Sequence, residues 1–147
     1  MKRSILFTTI VLFAGAALAA EPTADNLIKY RKLVMNAISA HMGATLVISR
    51  GQVAYTHRKE HADALASMLK IAGDVFPASS KNGDTNALGK IWKKPDAFAA
   101  AVKKAQDAAV AYQTAVGGTD TAAMDAALRN LSGSCKGCHD EFRKPLE

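Results

Sequence analysis

Four stretches of the chain repeat apolar side chains at intervals of three and four residues, and none alternates with the period of two that a strand requires. The first runs from about Ala24 to Ser49. Leu27, Arg31, Met35, Ile38, Met42 and Thr45/Leu46 step along one of its faces, and Gly51 stops it at RGQVAYT. The second, from about His57 to Asp74, carries His61, Leu65, Met68/Leu69 and Ala72. The polar loop FPASSKNGDTN follows and leads into ALGKIW, read as a short turn that tucks Ile91 and Trp92 against the bundle. The third stretch starts at KKPDAF. Pro95 suits a first helical turn, where a missing N–H costs little, and Asp96 complements the positive helix end. Phe98, Val102, Ala105, Ala109, Tyr112 and Val116 form its buried line, and Gly117-Gly118 ends it. Thr119 or Asp120 caps the fourth stretch, whose stripe is Met124, Leu128, Leu131, Cys135, Cys138 and Phe142. This pattern predicts an all-α fold, an antiparallel up-and-down four-helix bundle. Many core positions are Ala, which lets helices approach closely but leaves volume for something large.

The N-terminus changes where the bundle is expected to reside. Lys2 and Arg3 precede an apolar run from Ile5 to Leu18, which ends in Ala17-Leu18-Ala19. That is the layout of a secretory signal peptide, and the run is shorter than the roughly 20 residues that span a bilayer. Cleavage is expected after Ala19, giving a soluble periplasmic domain of residues 20–147 with no membrane anchor. The 19-residue leader holds two basic and no acidic residues. Its removal from a chain of 147 residues and net charge +6 leaves 128 residues at +4. So mild and scattered a surplus, with few aromatics, is no nucleic-acid footprint.

The chemistry sits in SGSCKGCHDEFRK, residues 132–144, which contains both cysteines of the chain. A disulfide three residues apart on one helix is strained and redox-active, and redox motifs sit at a helix start after a strand. Zinc needs four ligands. Covalent c-type haem fits best. Cys135 and Cys138, one helical turn apart, would form thioethers with the vinyl groups, and His139 would reach the iron from the proximal side. One haem c per chain would also supply the bulk that the Ala-rich core lacks. In an antiparallel bundle the early part of the first helix faces the end of the last. Met35 lies at the height of the iron, whereas Met42 is two turns deeper. Met42, Met68 and Met124 are read as core.

A haem motif on the last helix resembles the class II cytochromes c, the cytochrome c′ family, whose four-helix bundle is a known attribute of the family. CKGCHDEFRK matches the family's terminal signature. LIKYRKLVM is similar to its opening helix, and ALGKIW with FAAAVKKAQ to the start of its third. The resemblance implies that Met35 lines the distal haem pocket. A bulky residue there leaves high-spin, five-coordinate iron that takes up nitric oxide or carbon monoxide, whereas in low-spin relatives a methionine there ligates the iron. It also implies that Arg31 and Lys32 lie near a haem propionate, that Arg143 lies near His139, and that the protein forms a homodimer through its first two helices. Apolar residues such as Leu33, Val34, Val47 and Leu69, which cannot all face one core, agree with the last point.

Two functions are therefore in view. One is an electron carrier serving redox partner proteins, with Met35 as sixth ligand. The other is a five-coordinate module that binds or buffers nitric oxide or carbon monoxide. Enzymatic chemistry such as peroxidase activity lacks a distal acid–base pair, because Val34, Ile38 and Leu46 beside Met35 are apolar. His57 and His61, spaced i, i+4, are read as solvent-facing or partly packed, His41 likewise, and Trp92 as a packing anchor.

Overall fold

The computed structural model describes residues 21–145; the signal-peptide expectation for residues 1–19 lies outside the described residues. Four long helices make the bundle: α1 (Ala24–Ser49), α2 (Arg58–Ile71), α4 (Pro95–Val116) and α5 (Thr121–Phe142). A short helix, α3 (Lys90–Lys93), stands where ALGKIW predicts a turn. Local chemistry explains the boundaries. The Thr23 hydroxyl accepts from Asn26 N at 3.3 Å at the start of α1, and Gly51, at φ +66°, takes the left-handed conformation after its end. Asp120, rather than Thr119, caps α5, accepting from Ala122 N and Ala123 N at 2.9 and 3.1 Å.

α1 packs on α2, α2 on α4, and α4 on α5, whereas the backbones of α1 and α5 hardly approach one another. That seam is closed by side chains at the end remote from the cysteines. There Ser49 donates to Asp125 at 2.7 Å, and Arg58 reaches the same carboxylate at 3.4 Å. The main core joins Val34 and Ile38 of α1, Leu65 and Leu69 of α2, Ala105, Ala109 and Tyr112 of α4, and Leu128 and Leu131 of α5. A second, aromatic cluster of Ile91, Phe98 and Phe142, with Phe76 and Trp92 against it, fills the cysteine-bearing end. Phe98 meets Phe76 and Phe142 edge-on, at centroid distances of 4.9 and 5.3 Å.

Two sequence expectations shift in detail. On α1 the most buried apolar residues are Ile28, Val34 and Ile38, while Leu27, Met35, Met42 and Leu46 are half-buried, so the core line runs beside the expected stripe. Val34 and Leu69 are core residues, which leaves Leu33 and Val47 exposed together with Tyr30. The histidines lie as expected: His57 is exposed and stacks on Tyr55, and His41 and His61 are half-buried and face each other.

Candidate haem site

Helical spacing puts Cys135, Cys138 and Phe142 along the inner side of α5. Both thiols are free and half-buried. Cys135 packs on the main core and Cys138 on the aromatic cluster, so the pair sits where the two clusters meet. Burial pushes both thiols up from their ordinary value, which keeps them protonated near neutral pH. His139 is half-buried. Desolvation, and then the positive charge of Arg143, hold its imidazole below the usual histidine range, so it is neutral with a lone pair to offer.

The end of α5 is held by the segment before α3. Leu88 N donates to Phe142 O at 2.9 Å, Lys144 N to Asn86 O at 2.8 Å, and Ala87 bridges to Arg143. Lys90 pairs with Glu141 and lies over the Phe142 ring, 5.5 Å from its centroid. Arg143 donates its backbone N–H to His139 O at 3.1 Å, while its Nε is buried without a partner. Asn86–Leu88 escaped the sequence reading, because its contribution is backbone hydrogen bonding that no residue pattern announces.

Across the seam, Met35 is half-buried and packs on the main core. Arg31, one turn earlier, is 3% exposed and fully engaged by the α2–α3 connection. It donates to Ser80 Oγ at 2.6 Å, to Ser80 O at 3.2 Å, to Thr85 Oγ1 at 2.8 Å and to Val75 O at 3.4 Å, and its guanidinium lies 4.9 Å from the centre of the Phe76 ring. Burial lowers its pKa. Lys32 is exposed and paired with Asp84 at 2.8 Å. Thus Cys135, Cys138, His139 and Arg143 gather at one end of α5, and Met35 shares the main core with Cys135. Arg31 and Lys32 turn toward the loop of residues 75–85.

The residues present fit a covalent haem. Two half-buried thiols one turn apart and a neutral imidazole beside them are the required donor set, and the α1–α5 seam is the one side of the bundle where backbones do not close. A helix bundle with such a motif on its final helix is a monohaem c-type cytochrome. The chain belongs to the cytochrome c′ family, whose model matches residues 26–143. It is 35% identical over 147 residues to a cytochrome c′ of Rhodospirillum rubrum, covering 97% of this chain and 99% of that one. Cytochrome c prime from Shewanella frigidimarina superposes with a TM-score of 0.79 at 31% identity, over 83% of this chain and 97% of its own. The nitric oxide complex of a mutant cytochrome c prime from Alcaligenes xylosoxidans does so with a TM-score of 0.77 at 25% identity, over 84% and 98%. The family binds one covalent haem c, here with the cysteine pair Cys135/Cys138. Its members are periplasmic haem proteins and not enzymes.

Proposed function

We propose that this chain is an exported haem protein whose sixth coordination position is open to nitric oxide or carbon monoxide, with Met35 lining the distal side. The observation that carries this reading is the likeness to a cytochrome c prime solved with nitric oxide bound. The haem c supplies redox-active iron with affinity for such gases. Cys135 and Cys138 would fix it to α5, and the neutral imidazole of His139 would offer the iron a nitrogen ligand. Met35, seated among aliphatic neighbours, acts as an apolar lid that excludes water and larger ligands. Arg143 keeps positive charge beside His139. In this reading the propionate partners differ from the expectation: Lys32 is the freer cation, and Arg31 serves the loop.

A second reading, electron transfer to and from redox partner proteins with Met35 as sixth ligand, is favoured by one feature. Met35 is a flexible thioether on a half-buried part of α1, the helix across the seam from α5. Ferric electron paramagnetic resonance, with carbon monoxide uptake after reduction, separates the two.

Export with cleavage after Ala19 belongs to the same proposal, and N-terminal sequencing of the haem-containing protein is expected to begin at Ala20. The exposed line of Tyr30, Leu33 and Val47 on α1 is the face proposed for a second copy. Acid-acetone extraction tests the attachment: haem stays with the protein if the Cys135 and Cys138 thioethers exist, and leaves into the solvent if they do not.

A further inference from the structure

His41 on α1 and His61 on α2 take no part in the haem site, yet they form the closest pairing of two histidines in the described chain. Their Nδ1 atoms lie 2.9 Å apart, with ring centroids 5.2 Å apart and planes at 56°. Both side chains are half-buried, on helices packed directly against each other. Among the described residues neither imidazole is hydrogen-bonded to anything but the other. Two Nδ1 lone pairs that face each other repel, so something positive must lie between them. A proton does this when one ring adopts the Nδ1–H tautomer. A metal ion does it from beside the line that joins the two nitrogens, when both rings carry the proton on Nε2 and turn their lone pairs toward it.

We propose that His41 and His61 form a two-histidine binding site for a divalent transition metal, Cu(II) in particular. Imidazole nitrogen suits copper, nickel and zinc, and the spacing discriminates among their geometries. Two nitrogens about 2.0 Å from a metal lie about 2.8 Å apart at a right angle and about 3.3 Å apart at the tetrahedral angle. The observed 2.9 Å, which is also an ordinary N–H···N hydrogen-bond distance, lies nearer the right angle of tetragonal Cu(II) than the tetrahedral value. No group of three or more histidine, cysteine, aspartate and glutamate residues gathers among the described residues, so solvent completes the coordination. Binding from the neutral pair needs only a tautomer shift: the proton between the rings moves by way of solvent to the Nε2 of its own ring. The placement on two packed helices matters as well. His41 lies between Ile38 and Thr45, and His61 between the helix start and Leu65, so the core holds both backbones in place before the metal arrives.

The test uses ferric holoprotein, which copper(II) does not oxidise. Equilibrium dialysis against copper sulfate is expected to show one Cu(II) per chain, with an unchanged haem absorption spectrum. His41→Gln and His61→Gln are each expected to weaken that uptake by at least about tenfold, because loss of one ligand removes the chelate. His57→Gln, at an exposed residue stacked on Tyr55, is expected to leave it unchanged. Electron paramagnetic resonance of the copper in the unmodified protein decides the matter even if a variant folds poorly, since two coupled imidazole nitrogens are expected. Fewer than two, no stoichiometric uptake, or uptake that survives both glutamine substitutions overturns the proposal and leaves the pair as a hydrogen bond between neutral rings.

Discussion

Arg31 shares a helix face with Met35, yet every hydrogen bond recorded for its guanidinium is to the 75–85 connection. A buried cation with four acceptors and an aromatic face stitches that loop to α1, and removing it takes the Arg31 donor from the Val75 and Ser80 carbonyls, while Thr85 Oγ1 keeps the Ala87 N–H and the Ser80 hydroxyl keeps Pro77 O. Arg31→Ala is therefore expected to lower the stability of the holoprotein by about 3 kcal/mol in urea unfolding; a loss below about 0.5 kcal/mol would show that the network carries no weight. His139 supplies a pH prediction. Its folded value is depressed, first by burial and then by Arg143, so the unfolded chain binds the proton more readily. The stability due to the neutral ring is present above the ordinary histidine range and lost as pH falls through it toward the folded value. In the proposed haem site a proton and iron would compete for the same lone pair, so depression would also protect an iron–His139 bond against acid. Arg143→Leu is expected to move the acid midpoint of the ferric Soret band to higher pH; a midpoint unmoved or moved lower would contradict the electrostatic argument.

At the scale of elements, the helices and the final haem-bearing stripe were legible because the three-and-four spacing of Leu128, Leu131, Cys135, Cys138 and Phe142 admits one inner face. On α1 the apolar set is wider. Ile28, Val34 and Ile38 face the helices, while Met35, Met42 and Leu46 sit partly exposed beside them, and periodicity alone does not divide such a broad stripe. In sequence the connection between α2 and α3 shows only as a polar loop. Its order comes from partners distant in sequence: Ser80 and Thr85 on Arg31, and Trp92 Nε1 on Phe76 O at 3.0 Å. Gly83 belongs to this device. It sits at φ +128°, where a Cβ would lie 2.7 Å from Ile28 Cδ1. Gly83→Ala is expected to cost on the order of 1–3 kcal/mol through backbone strain and the clash, read by thermal unfolding. A neutral result would mean that the loop relaxes at no cost.

For the whole molecule, α1–α2, α2–α4 and α4–α5 packing holds the bundle, while the α1 and α5 backbones hardly approach one another and side chains close that seam at the end remote from the cysteines, with the cysteines on one wall and Met35 on the helix opposite. An Ala-rich core fits this plan: small side chains draw three pairs of helices together, and in the proposed reading the prosthetic group would lie on the remaining side, between α1 and α5. The Cys-x-x-Cys-His motif made that group legible from sequence. The fate of the sixth position was not legible, because methionine serves equally as packing and as ligand. The most direct measurement is electron paramagnetic resonance of the ferric holoprotein, followed by carbon monoxide titration after reduction, with Met35→Ala alongside. An open sixth position predicts a high-spin signal and ready carbon monoxide uptake, both retained in Met35→Ala. A low-spin signal that turns high-spin only in Met35→Ala would contradict it and establish Met35 as an iron ligand.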